Sequence, residues 1–404
     1  MIYNAYQAFT DVSHPVRLLA SSADRLLNVW STTSFASPMQ RMAAWCEVVA
    51  LAGFTHARPD YEIPFVEIDG QRFWVDEQVV LSQPFGDLLR FRREGLLDAP
   101  KVLLIAPMSG HYATLLRGTI RTLLRDFDVY VSDWKNVRNI PLSAGDFGLD
   151  DYIQYMIDFI KFMGPQTHVV AVCQPTVAAL AATAVMAQDK DNNQPASLTL
   201  MAGPIDVRVN PTKVNDLANE HPISWFKEKL IGTIPSPLGG TGRRVYPGFL
   251  QLSAFMSMNL ERHQKSFVDL YRLRVDGEHA KADAIRDFYQ EYFAIMDLAE
   301  TFYLQTVEEV FQKASLPQGK LMFKGSAVDP KAIRKTFLLT VEGERDDICA
   351  VGQTLAAQDL CSGLRPYMKS HHLQPGVGHY GVFNGKKWEA QIYPVVRNHI
   401  QSSM

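Results

Sequence analysis

Between Val102 and Met201 the chain alternates short runs of Val, Leu and Ile with longer amphipathic stretches, and this alternation restricts the fold more than any other feature. Val102–Ala106, Val129–Ser132, His168–Val172 and Ser197–Met201 read as strands. Tyr112–Arg125, Leu149–Met163 and the stretch running to Met186 read as helices. Strands that are apolar throughout are buried on both faces, which calls for a parallel sheet covered by helices on either side. The expected class is α/β.

The alternation stops near Pro204 and resumes at Thr336–Val341, and the chain closes on a helix near Lys387–Ile400. The intervening 207–328 carries helical segments separated by turns such as Pro235-Ser236-Pro237-Leu238-Gly239-Gly240. A helical insertion late in a parallel sheet occupies the place of a cap over an active site. Its aromatics, among them Phe249, Phe267, Phe288, Tyr289, Tyr292, Phe302 and Tyr303, are expected mainly in the core, with a minority free to form an apolar groove. Upstream, 1–60 reads as a helical extension on the spacing of Leu18, Leu19, Leu26, Leu27, Met42, Ala43, Trp45 and Cys46. Ile63–Leu81, with its Asp69-Gly70 turn, reads as antiparallel strands at a sheet edge. The organisation expected is an extension (1–60), a core (61–206 with 329–404) and a cap (207–328).

Charge and composition narrow the function. Forty Lys and Arg against 43 Asp and Glu, with no long block of one sign, argue against a nucleic-acid surface. The longest apolar run, Ala178–Ala187, is far short of the ~20 residues a membrane span requires. Met1–Ala20 has no basic head and carries Asp11 and His14 where an export signal needs apolar residues. Cys46, Cys173, Cys349 and Cys361 form no Cys-x-x-Cys pair, so neither a disulfide framework nor a structural zinc site is expected, and a reducing cytoplasm fits. Gly239-Gly240-Thr241-Gly242 lacks the Lys-Ser/Thr of a P-loop, and His371-His372 has no ligand frame around it. No cofactor or metal is expected.

The chemistry concentrates at Thr167–Leu180, an apolar strand running into a small-residue helix with Cys173 at the junction, the layout of a nucleophile elbow. A thiol there meets the free N–H groups of a helix start, which favour thiolate. Ala171 and Pro175 stand where Gly-x-Ser-x-Gly has glycines, and a buried cysteine closing a core strand is the competing reading. Downstream, Glu342-Gly343-Glu344-Arg345-Asp346-Asp347 follows a strand, and His379 sits in a glycine-rich loop before the last helix. Nucleophile, acid and base thus occur in the α/β-hydrolase order, with Asp346 and Asp347 both eligible as the acid. An oxyanion site would draw on the amide of Gln174 and one from Ala106-Pro107-Met108-Ser109, with Met108 first and Ser109 next in line.

Longer strings add specificity: Gln83-Pro-Phe-Gly-Asp-Leu-Leu-Arg90, Ala106-Pro-Met-Ser-Gly-His-Tyr-Ala-Thr-Leu-Leu-Arg117, Val172-Cys-Gln-Pro175, Val245-Tyr-Pro-Gly-Phe-Leu-Gln-Leu252 and Met256-Ser-Met-Asn-Leu260. With them the chain resembles, over nearly its whole length, the intracellular poly(3-hydroxybutyrate) depolymerases. The resemblance implies a capped α/β-hydrolase that cleaves polyhydroxyalkanoate granules at their surface in the cytoplasm, with Cys173 as nucleophile, Asp346 as acid and His379 as base. It prefers Asp346 over Asp347. Water or coenzyme A could resolve the acyl-cysteine, and self-association stays open. Two other readings remain: a polyester synthase-like acyltransferase, whose glycine-flanked cysteine Ala171 and Pro175 do not reproduce, and a non-catalytic granule coat protein.

Overall fold

A computed structural model of the chain describes residues 2–30, 36–96, 98–258 and 260–404. Part of the expected N-terminal extension, 31–35, lies outside the described residues. The central sheet has nine strands: β1 (Phe65–Ile68), β2 (Gln71–Gln83), β3 (Gly86–Arg93), β4 (Lys101–Ile105), β5 (Asp128–Trp134), β6 (Thr167–Val172), β7 (Ser197–Met201), β8 (Phe337–Gly343) and β9 (Lys369–Gln374). Their spatial order is β1-β2-β3-β5-β4-β6-β7-β8-β9. β3 is antiparallel to β2 and β5, and every neighbouring pair from β5 to β9 is parallel.

The apolar runs dictate this arrangement. Every residue of β5, β6 and β7 is buried, so both faces of the sheet centre are covered. β2, by contrast, leaves Trp74 and Val79 in solvent at the antiparallel edge. β3 had no periodic signal, because buried Leu88, Leu89 and Phe91 are interleaved with arginines. One of these, Arg90, pairs with Asp128 of β5 at 2.7 Å.

Two N-terminal helices, α1 (Ile2–Trp30) and α2 (Ala36–Leu51), pack on each other, and the first is tied to the core by Tyr3, which donates to Asp297 and accepts from Arg138. Their helical spacing does not translate into burial throughout: Leu18, Leu19, Leu26, Met42 and Trp45 are exposed. Next come α3 (Arg117–Leu123), α4 (Leu149–Met163) and α5 (Thr176–Gln188). α4 buries Tyr152, Met156, Phe159, Ile160 and Met163 along one stripe, and Asp151 accepts from the Gly148 amide at its start. α5 is apolar all round and built largely of alanine, which lets it lie tightly against β6, β7 and α4.

Between β7 and β8 come α6 (Lys213–Glu220), α7 (Ile223–Leu230), α8 (Gly248–Met258), α9 (Leu260–Val275), α10 (His279–Tyr292) and α11 (Glu300–Gln305). This segment also holds an antiparallel ribbon of Gly232–Thr233, Arg244–Tyr246 and Leu298–Ala299. Strands of two or three residues leave no periodicity to read. α12 (Ala357–Leu360) and α13 (Tyr393–Ser402) complete the chain. The sheet order, the antiparallel edge of β1 to β3 and the helix-covered parallel half define an α/β-hydrolase fold. Among the described residues no helix is long and apolar enough to cross a membrane.

The close fit of α5 to the sheet rests on Gly203, just beyond β7. A Cβ at that position would overlap the Thr176 side chain, which cannot swing away without losing the 2.9 Å bond from its Oγ1 to the Cys173 carbonyl. Gly203→Ala is therefore expected to lower unfolding free energy by about 1–3 kcal/mol, the usual cost of overpacking. Urea denaturation of the two proteins measures it, and an unchanged midpoint would refute the steric account.

Candidate active site

Cys173 is the first residue beyond β6 and adopts φ 68°, a left-handed conformation that non-glycine residues avoid unless the surroundings enforce it. The enforcement is visible. Its N–H donates to the Met201 carbonyl at 2.8 Å, and its own carbonyl accepts from the Thr176 N–H and Oγ1 at 3.2 and 2.9 Å. The turn thus reverses the chain without the two glycines of the common motif. Ala171 fits within the sheet, Pro175 opens α5, and the room that the second glycine normally supplies comes from Gly203.

The acid loop leaves β8 and the histidine loop leaves β9, and backbone bonds lace them together. Glu344 N–H donates to the Gln374 carbonyl at 3.0 Å, Arg345 N–H to the Val377 carbonyl at 2.8 Å, and Gly376 N–H to the Glu344 carboxylate at 2.6 Å. Asp346 Oδ2 lies 2.8 Å from His379 Nδ1, while its Oδ1 accepts the N–H groups of Ile348 and Cys349 at 2.9 and 2.8 Å. Asp346 and His379 are both buried, whereas Asp347 points into solvent. Of the two eligible aspartates the geometry joins only Asp346 to the imidazole.

On its other side His379 faces the Cys173 sulfur, close enough for each to shift the other's pKa. That sulfur has a second partner absent from the sequence reading, the buried thiol of Cys349. The Cys349 S–H and the neighbouring His379 hold the Cys173 thiol well below its ordinary range against the opposing effect of burial, and the Gln174 N–H adds to them. Burial disfavours charge on His379 too, but the Cys173 sulfur and the Asp346 carboxylate outweigh it and raise the imidazole well above its usual value. Cys349 is pushed the other way by the Cys173 sulfur and burial, so it stays a protonated donor. These directions favour charge on the Cys173 sulfur and on His379, with Cys349 as the neutral donor beside them.

The loop after β4 is fixed by Ser132, whose Oγ accepts from the Ala106 N–H at 2.9 Å, and by Trp134, whose Nε1–H donates to the Ala106 carbonyl at 2.8 Å. Met108 N–H is directed at the Gln174 amide oxygen, 3.4 Å away, and the Tyr152 hydroxyl donates to the same oxygen at 3.0 Å. Ser109, the second candidate from this loop, is not among the donors that meet there. Tyr152 was missed because on α4 it reads as one more core aromatic. Cys349 was missed because a single cysteine in a loop carries no pattern.

Residues of the 207–328 segment pack over these loops. Phe288 of α10 meets Tyr380 edge-on at 6.4 Å, Tyr292 lies 5.2 Å from His111, and the Met296 N–H donates to the Gly110 carbonyl at 2.8 Å. A cleft of about 840 Å³ bounded by α1, α2 and α10 is lined by charges of both signs, including Arg17, Glu47 and Arg286, and by none of the residues that surround the thiol.

The thiol–thiol contact has a measurable consequence. Cys349→Ala removes the donor that most favours the thiolate, so the alkylation of Cys173 by iodoacetamide shifts to higher pH. At a pH below the shifted limb the rate is expected to fall about tenfold, as a change of 1.4 kcal/mol in thiolate stability requires. A superimposable pH profile for wild type and variant would show that Cys349 has no such effect.

No curated protein matches the chain. Solved structures do, at low identity: a soluble variant of monoglyceride lipase from Saccharomyces cerevisiae in complex with a substrate analog is 11% identical over 87% of this chain and 98% of its own, with a TM-score of 0.47. A monoacylglycerol lipase of Paleococcus ferrophilus is 11% identical over 83% of this chain and 100% of its own, with a TM-score of 0.43. The 2-hydroxy-6-oxo-6-phenylhexa-2,4-dienoate hydrolase of Rhodococcus sp. strain RHA1 is 12% identical over 81% of this chain and 99% of its own, with a TM-score of 0.44. The family model described as PHB de-polymerase C-terminus matches residues 202–404, the half that carries the 207–328 segment, Asp346, Cys349 and His379. The chain therefore belongs to the PHB de-polymerase C-terminus family and is an ester hydrolase.

Proposed function

We propose that this protein is a granule-surface depolymerase of the cytoplasm that cleaves poly(3-hydroxybutyrate) through a Cys173–His379–Asp346 triad and an acyl-cysteine intermediate. The observation that carries the reading is the unbroken contact chain from the Asp346 carboxylate through His379 to a sulfur at a strained strand–helix turn. Family membership supplies the substrate class. A neutral, apolar polyester also suits a site whose neighbours from the cap are Phe288 and Tyr292 and which needs no cation to hold a charged substrate.

The proposed chemistry balances in two steps. The Cys173 thiolate attacks an ester carbonyl, and collapse of the tetrahedral species breaks the C–O bond. The departing alkoxide takes the Nε2 proton of His379 and leaves as the hydroxyl end of the shortened polymer. His379, now neutral, removes a proton from water as the water oxygen attacks the thioester. The carboxylic product leaves, and thiolate and imidazolium are restored together.

Cys173→Ala is expected to abolish release of 3-hydroxybutyrate oligomers from purified amorphous granules, by about 10⁴-fold or more, while granule co-sedimentation persists. Unchanged release would remove Cys173 from the mechanism, and incorporation from 3-hydroxybutyryl-coenzyme A without release would make the protein a synthase. The pH dependence of acylation follows from the two shifts. Thiolate is lost as pH falls through its depressed pKa, and imidazolium is lost as pH rises through its raised one. The burst of p-nitrophenol from a p-nitrophenyl ester should therefore hold a plateau whose acid limb lies well below 9.0 and whose alkaline limb lies well above 6.5. A limb near the ordinary thiol value would contradict the ion pair.

A further inference from the structure

Gln174 has two hydrogen-bonding functions at the elbow, and they point in different directions. Its main-chain N–H is directed at the Cys173 sulfur, whereas its side-chain oxygen has turned toward the loop after β4 and α4. There it accepts from the Met108 N–H at 3.4 Å and the Tyr152 O–H at 3.0 Å. An amide oxygen is a close electrostatic mimic of an ester oxygen, so an oxygen that collects these donors beside the thiol marks where a substrate carbonyl would be stabilised.

We propose that the Tyr152 hydroxyl is a third donor of the oxyanion site, beside the Met108 and Gln174 amides, and that the Gln174 side-chain oxygen fills this site until substrate displaces it. The proposal rests on Cys173 being the nucleophile. Tyr152 is suited to the task by its setting. It is fully buried, and its ring is wedged between Trp134 and Phe302 at centroid distances of 4.8 Å each, so the hydroxyl is held without spending further entropy at the moment of reaction. Burial also keeps the phenol protonated, as a donor must be. Gln174 is only half-buried and its side chain ends on these two bonds, so its departure exposes the donors to an incoming carbonyl. A site stoppered in this way keeps the buried Tyr152 O–H supplied with an acceptor while no ester is bound, and the Met108 N–H, which also bonds the Tyr152 oxygen, is shared between the two.

The test separates acylation from the reactivity of the thiol. Tyr152→Phe is expected to slow the p-nitrophenyl butyrate burst by about 30-fold or more, in line with the loss of one oxyanion donor. Alkylation by iodoacetamide, which develops no oxyanion, should stay within about twofold of wild type. A burst within threefold of wild type, or alkylation that falls in parallel, would overturn the assignment. Gln174→Ala, which keeps the backbone amide, is expected to speed the burst, and an equal or slower burst would refute the stopper. Should Tyr152→Phe lose its thermal transition, 4-aminophenylalanine at 152 serves instead: it keeps the ring and an N–H donor, so the burst should stay above that of 4-methylphenylalanine at the same position, and equal bursts count against Tyr152. Cys173→Ala is run alongside, because a burst that survives it refutes the nucleophile itself and leaves the donors a separate question.

Discussion

An anion held beside a buried imidazole persists only if protein dipoles and charges replace its hydration, and in the proposed mechanism the sulfur of Cys173 is such an anion. It receives the Cys349 S–H, the His379 imidazolium and the Gln174 N–H. Each supporter must then be supported. His379 is buried and holds its charge through Asp346, and Asp346 is satisfied by the amides of Ile348 and Cys349. Cys349 therefore acts twice: its amide anchors the carboxylate at one end of the relay, and its thiol donates to the sulfur at the other. The relay closes on itself within one short loop.

That loop would be too supple for such work without a second carboxylate. Glu342, the penultimate residue of β8, is fully buried and accepts the N–H groups of Gly352, Thr354 and Leu355. The return arm of the acid loop is thereby fastened to the strand from which the outgoing arm departs. Bonds from Glu344 and Arg345 fasten the outgoing arm to the histidine loop. A buried carboxylate surrounded by three amides is in a polar setting, which makes it a structural counterpart of Asp346 four residues on.

Much of this was legible in the amino-acid order, and the exceptions share a cause. The strands at 167–172 and 197–201 and the helix at 149–163 announced themselves because parallel strands in a sheet centre must be apolar on both faces and α4 must not be. β3 stayed hidden since its arginines break the apolar run, and the ribbon at 232–299 because its strands are too short for any period. Cys173 stood out at a strand–helix junction and His379 in a glycine-rich loop, while chain order left Asp346 and Asp347 both eligible and only the family resemblance preferred Asp346. Tyr152, Cys349 and Glu342 did not, because what sets them apart is a contact: a buried tyrosine, a loop cysteine and an acidic residue at a strand end are commonplace until something across the fold meets them. The absence of elbow glycines was legible, but its remedy was not, since Gly203 lies 30 residues beyond Cys173, in the loop after β7.

Within the proposed mechanism the same relay explains how one imidazole serves as acid and then as base. Before attack, its proton is retained by the sulfur charge as well as by Asp346. Once the sulfur is acylated that charge is gone, burial is no longer opposed by two anions but by one, and the proton given to the alkoxide is not readily regained. A neutral His379 facing a thioester is what deprotonation of water requires. No ring flip or loop movement is needed between the half-reactions, because the charge on sulfur itself sets the protonation state of its neighbour. Phe288 and Tyr292 can therefore stay packed against Tyr380 and His111 through both steps of that mechanism.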